Sequence, residues 1–170
     1  YRSLLERKIV NKDINPKTLL YGERSALILF LRTSSYGNKY KVSVPDPRNN
    51  TTFEEEVDLL TLKYKENIEK PDGAGEFVVE IPMRKKIIKF RILTSGEDES
   101  ILKNSIARQE AYGEEVSEYN TMRLKASMVE ISGNRDRSYI ERFVDVMPAL
   151  DAYTIRKIIL EVSHAIDISY

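Results

Sequence analysis

The side chains that could do chemistry in this sequence are few. There is one histidine, His164, and no cysteine. Thiolate zinc sites, cysteine nucleophiles and most serine–histidine relays are therefore excluded. His164 falls near the end of the last predicted helix, where we interpret it as a structural or surface residue. Carboxylates, lysines and tyrosines remain as the groups from which a site could be built.

Two acidic runs are candidate metal or acid–base sites. In the first, strand alternation sends Glu54 and Glu56 to one face and Glu55 to the other. Charges of this kind discourage edge-to-edge association of strands. The second run, residues 97–99, falls at a predicted helix N-terminus, where carboxylates are stabilising. The spacing of a calcium-binding loop is also absent. Since the chain has no cysteine, a single histidine and no converging carboxylates, we predict no catalytic residue, no metal site and no cofactor.

The most basic stretch lies on a predicted hairpin at residues 84–91. Its cations are Arg84, Lys85, Lys86, Lys89 and Arg91. Such a hairpin could contact phosphate, but Lys+Arg and Asp+Glu both number 27 in the chain, so no net field attracts a polyanion. Phe90 alone is interleaved as an aromatic that could stack on a base. The composition argues against nucleic acid as the main partner.

Composition indicates one soluble globular domain. The chain has 170 residues, of which 41% are hydrophobic and 32% charged. No run approaches the ~18 apolar residues of a membrane span, and the first residues are too charged for a signal peptide. We therefore expect no membrane anchor. Because the chain begins with Tyr1 and not Met, we expect it to be a piece of something longer, with residues missing at either end.

Hydrophobic periodicity predicts the elements of the first half. Residues 23–36 carry apolar side chains around most of a helical circumference, which predicts a buried helix ending at Gly37 and gives the strongest core signal in the chain. Two pairs of alternating segments follow, bounded by turn residues. We predict that they form one antiparallel sheet of about four strands within residues 39–93.

The period changes to a helical one after Thr94. Ser95 with Asp98, and Ser138 with Glu141, have the spacing of N-terminal capping boxes. These signals predict a helical half of about four helices over residues 95–165, including one helix at about 116–131 and a last one after Pro148. Since strands and helices are segregated along the chain, the predicted class is α+β.

The first residues are predicted to stand apart from this domain. We divide the chain into an N-terminal arm and connection at 1–22 and a single α+β domain at 23–170. The arm carries the apolar residues Leu4, Leu5, Ile9 and Val10. An arm with little intrinsic helicity orders against a partner, so these four residues are a candidate interface. The alternative is that the arm packs onto its own domain.

Three stretches carry a family resemblance. Residues 19–40 contain Gly22-Glu23-Arg24, an apolar helix and Ser35-Tyr36-Gly37 before a strand. Residues 90–99 resemble a strand-to-helix junction. Residues 143–151, followed by Ile155-Arg156-Lys157, contain Met-Pro-Ala-Leu-Asp at a helix start. In this order the stretches resemble the baseplate hub family of T-even-type contractile-tailed bacteriophages.

The resemblance implies a structural role. A protein of this family is expected in the virion, assembled in the host cytoplasm, where it contacts other baseplate and tail hub proteins in a hetero-oligomeric assembly and has no enzymatic activity. An assembly factor that leaves the particle is an alternative, and a nucleic-acid-binding accessory protein is a second. The family also carries a Cys-Pro-x-Cys knuckle, for which this chain has residues 44–47, Val-Pro-Asp-Pro, without either thiol.

Overall fold

The computed structural model describes residues 2–10, 13–46, 48, 51–64, 70–113, 118–163 and 166–167. Its elements, in chain order, are α1 (Arg2–Lys8), α2 (Tyr21–Tyr36), β1 (Lys39–Pro45), β2 (Thr52–Asp58), a 3-10 turn (Leu59–Thr61), β3 (Lys63–Tyr64), β4 (Phe77–Glu80), β5 (Ile87–Phe90), α3 (Ser95–Tyr112), α4 (Tyr119–Ser127), β6 (Met128–Ile131), α5 (Arg137–Asp145), α6 (Ala149–Val162) and β7 (Ile166–Asp167). The paired strands are antiparallel. The predicted α+β class is confirmed.

The prediction of one four-stranded sheet is wrong. Both predicted hairpins form, but β1 and β2 make a sheet of their own, while β4, β5 and β6 make a three-stranded sheet. The free edge of β5 is taken by β6, which brings two buried side chains, Met128 and Ile131, to the core face. Strand β2 has a run of three glutamates instead, so it offers little apolar surface to that core.

Strand β6 also corrects the predicted helix at 116–131. The helix begins at Tyr119 and ends at Ser127, and the chain becomes extended at Met128. A tight turn follows the strand, in which Ser132 and Gly133 both have positive φ, 47° and 86°. Two such residues in succession suit the turn that follows a strand. Burial against β5 outweighs the local helical pattern here.

The hydrophobic core lies between the three-stranded sheet and helices α4, α5 and α6. Its fully buried members include Ile81, Ile88, Phe90, Ile131 and Ile155. Phe77 stacks on Phe90 across β4 and β5, with ring centroids 5.5 Å apart. Every residue of this cluster falls between positions 77 and 162, so none of the elements from α1 to β3 belongs to it.

Helix α2 is only partly buried, contrary to the prediction of a buried helix. Of its residues only Gly22 is buried, and Phe30 is 65% exposed. The apolar run at 26–31 occupies consecutive positions and so spreads around the helix, which leaves no single face to turn toward a core. Helix α5 shows the contrast, because Ile140, Phe143 and Val144 share one face and are all buried.

The predicted helix starts in the second half are shifted by one or two residues. The N-cap of α3 is Thr94 in place of Ser95, and it forms a capping box with Glu97. The N-cap of α5 is Asp136 in place of Ser138. Gly113 ends α3 in the left-handed conformation, as such a residue is expected to do. The last helix begins directly after Pro148, as predicted.

We predict that stability depends on the sheet-facing side of α6. Ile155→Ala removes a side chain that is 0% exposed and leaves a cavity, so it should reduce the free energy of unfolding by roughly 2–5 kcal/mol. Leu160→Ala, on the same helix but 61% exposed, is the matched control and should change it by less than about 0.5 kcal/mol. Urea unfolding measures both, and equal effects would contradict this location of the core.

Candidate interaction surfaces

The structure separates the four residues of the predicted arm interface. Leu5 is 1% exposed and lines a small cavity with Pro16 and Gly96, so it is buried within its own chain. Ile9 is partly buried. Leu4 and Val10 are 40% and 91% exposed. The placement of Leu5 agrees with the alternative in which the arm packs on its own domain, and Leu4 and Val10 remain predictions for a partner contact.

The connection after the arm docks on the first turn of α3. The amide of Ser95 donates to the carbonyl of Leu19 (2.8 Å), and the amide of Gly96 donates to the carbonyl of Lys17 (2.9 Å). These are amides for which a helix has no internal partner. Leu20 and Thr94 form an isolated antiparallel bridge beside them. The connection therefore caps α3 and fixes the start of α2 to the second half of the chain.

An open cleft of about 630 Å³ borders the same turn, with Lys17 and Lys103 on its walls. A helix N-terminus with lysines nearby could bind an anion if its amides were free. Here the amides of residues 95 and 96 donate to the connection, and those of residues 97 and 98 donate to Thr94. The helix therefore offers the cleft none of these four donors.

The acidic run at 97–99 pairs within the chain. Glu97 accepts two hydrogen bonds from the guanidinium of Arg91, at 2.9 and 2.5 Å, and one from the amide of Thr94 at 2.9 Å. The bonds from Arg91, aided by those from Thr94, hold the pKa of Glu97 down at about 2. Asp98 pairs with Arg123 at 2.7 Å and accepts from the hydroxyl of Tyr119. These carboxylates join α3 to its neighbours.

The β1–β2 hairpin has a charged face and an apolar face. On the charged face the ammonium of Lys39 lies 2.6 Å from Glu56, and that of Lys41 lies 3.6 Å from Glu54. The predicted split of the glutamate run between two faces is confirmed, because Glu55 lies opposite Val42 on the other face. The same apolar face carries two large exposed aromatics, Tyr40 at 46% and Phe53 at 49%.

The basic stretch at 84–91 is mostly committed to internal contacts. Lys89 pairs with Glu130 at 3.5 Å, and Arg91 pairs with Glu97. The guanidinium of Arg84 lies 4.9 Å from the centre of the Phe143 ring and donates to the carbonyl of Val146. Lys85 and Lys86 are exposed. Within the described part of the chain, neither of these two lysines has an ion-pair partner.

Sequence reasoning missed a charge network on the outer side of the three-stranded sheet. Arg135 makes two hydrogen bonds to Glu76, at 3.1 and 2.9 Å, and a third to Glu130 at 2.9 Å. Glu76 is only 8% exposed. A bidentate pair of this kind fixes geometry strongly. Because 59 residues separate Glu76 from Arg135, no local pattern in the sequence could predict the pair.

Asp151 was also missed as a structural residue. It lies in the first turn of α6 and is 0% exposed. Its Oδ1 accepts a hydrogen bond from the amide of Met83 at 2.8 Å, while Oδ2 is buried without a partner in the described residues. The bond ties the β4–β5 turn to α6. The sequence signal was the Asp three residues after Pro148, a position typical of a helix first turn.

Two further findings bear on the class of site. Among the described residues no group of three or more metal-ligating side chains is placed to hold an ion, and no helix is long and apolar enough to span a membrane. His164 and part of the 45–50 turn lie outside the described residues. Comparison with protein-family models, curated proteins and solved structures finds no match for the chain.

We predict that Gly96 is needed for docking of the connection. A Cβ at Gly96 would lie 2.9 Å from Cβ and 3.0 Å from the carbonyl oxygen of Lys17. Helix propensity alone would make Gly96→Ala stabilising, but the clash should lower the free energy of unfolding by about 1–3 kcal/mol. Gly73→Ala is the control, because a Cβ there meets nothing within 4 Å. If thermal unfolding shows the same change in stability for both variants, the close approach of Gly96 to Lys17 is contradicted.

We predict a pH-dependent contribution from the Arg91–Glu97 pair. Because its pKa is about 2 in the folded chain against an ordinary 4.5, ionised Glu97 favours folding above pH 4.5, and this contribution is lost as the pH falls toward 2. The side chains are 39% and 40% exposed, so solvent screening should limit the loss to about 1 kcal/mol. Glu97→Gln should flatten the unfolding free energy over this pH range, while Glu110→Gln, exposed on the same helix, should leave it unchanged.

Proposed function

We propose that this chain is a structural component of the baseplate or tail hub of a contractile-tailed bacteriophage, that it acts through protein–protein contacts, and that it is not an enzyme. The phage assignment is supported by the three stretches that resemble the T-even baseplate hub family. The contact function is supported by the structure of the first half of the chain.

The observation that carries the proposal is the exposure of α2. Its segment 26–31 is the longest apolar run in the chain; Phe30 is exposed and the other five residues of the run are only partly buried. Phe30 projects with 65% of its surface accessible, and the hairpin that follows exposes Tyr40 and Phe53. Exposed apolar surface of this kind is costly in water and marks sites of protein contact. The first half of the chain is therefore the assembly surface, and the second half is the body that presents it.

The paired charges support the same distinction between an assembly surface and the body that presents it. Glu97, Asp98, Glu76 and Arg135 each form short ion pairs or hydrogen bonds that connect one element to another. Charges used in this way hold a scaffold together and are not free to bind substrate. The alternative of a nucleic-acid-binding protein loses support for the same reason, since three of the five cations at 84–91 have internal partners.

Mass spectrometry of mature particles tests the proposal. We expect the chain in purified virions of the phage that encodes it, at a fixed ratio to other tail proteins. Its absence from mature particles, with its presence in tail intermediates, would support an assembly factor that leaves. Binding to DNA or RNA that falls steeply with salt, without any association with tails, would support the nucleic-acid alternative.

A variant of α2 tests the surface itself. Phe30→Ser removes an apolar side chain of this helix that is 65% exposed and lies outside the core, so the melting temperature should stay within about 2 °C of the parent. Incorporation into tails should fall strongly in a complementation assay. Normal incorporation of a folded Phe30→Ser chain would contradict the assignment of α2 as the assembly surface.

A further inference from the structure

We propose that copies of this chain associate head to tail, with one surface of each copy docking on a different surface of the next. The first surface is the hairpin face, formed by Tyr40, Phe53 and Glu55. The second is the turn patch, formed by Met83, Lys85, Lys86, Val146 and Leu150. This inference goes beyond the proposed function and does not depend on the phage assignment.

The turn patch is a set of exposed apolar side chains held on a fixed support. Met83, Val146 and Leu150 are 60%, 64% and 51% exposed. They come from the β4–β5 turn, the α5–α6 loop and the first turn of α6. The bond from the Met83 amide to the buried Asp151 joins the first and last of these segments, and Arg84 joins the turn to the carbonyl of Val146.

The turn patch also carries uncompensated positive charge. Lys85 and Lys86 follow Arg84 in the turn and have no ion-pair partner within the described part of the chain. Lys85 has a φ of 50°, in the left-handed region that is unfavourable for a lysine relative to glycine. A strained lysine whose ammonium has no ion-pair partner in the described residues points to a function outside its own chain.

The hairpin face has the opposite charge. Glu55 lies on the apolar side of the β1–β2 hairpin, opposite Val42, and has no ion-pair partner in the described residues. Its neighbours Glu54 and Glu56 are already neutralised by lysines on the other side. Tyr40 and Phe53 are 46% and 49% exposed beside it, and the guanidinium of Arg32 from α2 lies 5.5 Å from the centre of the Tyr40 ring. A two-stranded sheet is marginal in water unless something covers it, so this face needs an occupant.

The two surfaces complement each other in both apolar character and charge. Pairing the hairpin face with the turn patch covers the exposed aromatics and places Glu55 against Lys85 and Lys86. Pairing two hairpin faces would set Glu55 against Glu55, which is repulsive. Because the two surfaces differ, the contact is heterologous, and repeating it gives a ring if it closes or a filament if it does not. Nucleic acid fits less well, since apolar side chains surround the two lysines.

A charge-swap experiment on the full chain tests the inference. Sedimentation velocity should show concentration-dependent association of the parent chain that weakens with added salt. Glu55→Lys alone and the double variant Lys85→Glu/Lys86→Glu should each weaken association at least about tenfold. An equimolar mixture of the two should associate again, as should the triple variant. Lys157→Glu, a charge reversal at an exposed lysine of α6, is the control and should associate as the parent does.

A second variant separates binding from folding. Lys85→Gly relieves the left-handed strain while removing the charge, so it should melt at or above the parent temperature and still associate more weakly. A parent chain that stays monomeric up to about 100 µM, where association of micromolar strength would be evident, would overturn the inference. So would charge-reversed variants that associate normally, or mixtures that fail to regain association. If the parent chain is monomeric and binds an oligonucleotide, and the Lys85→Glu/Lys86→Glu variant loses that binding, the nucleic-acid alternative replaces this inference.

Discussion

One layer of apolar contacts, between the three-stranded sheet and helices α4 to α6, is what the rest of the molecule depends on. Ile88 and Phe90 on the central strand are fully buried and meet Ile131 from β6 and Ile155 from α6. Dense packing of this kind supplies most of the favourable free energy of a domain. Since the layer is complete within residues 77–162, the elements from α1 to β3 do not belong to it. The exposed apolar side chains of α2 and the hairpin follow from that constraint.

The first half is nevertheless not an independent appendage. The carbonyls of Lys17 and Leu19 in the connection accept hydrogen bonds from amides of α3, and the absence of a side chain at Gly96 allows the two segments to approach closely. Arg91 and Glu97 stabilise the same helix start from the other side. This junction sets where α2 begins, and so it positions the surface that we assign to assembly.

Charge placement distinguishes scaffold from surface in this chain. Most of the ion pairs connect elements across the body, as Arg135 does with Glu76 and Glu130. The exceptions that matter are Glu55 on the hairpin face and Lys85 with Lys86 on the turn patch, each set among exposed apolar side chains. A neutral overall composition thus conceals local charges of opposite sign. Such a distribution favours specific contacts between proteins over attraction to a polyanion.

The sequence alone determined the α+β class, both hairpins and the start of α6 after Pro148, because turn residues, alternation and caps act over a few residues. It also predicted the two-faced glutamate run. It could not predict that β6 would replace the end of a helix, that α2 would lie outside the core, or that Leu5 would be buried while Val10 is not. Those outcomes depend on which segments compete for the same buried surface. The pairing of Arg135 with Glu76, and of Met83 with Asp151, likewise joins residues far apart in the chain, so only the tertiary structure decided it.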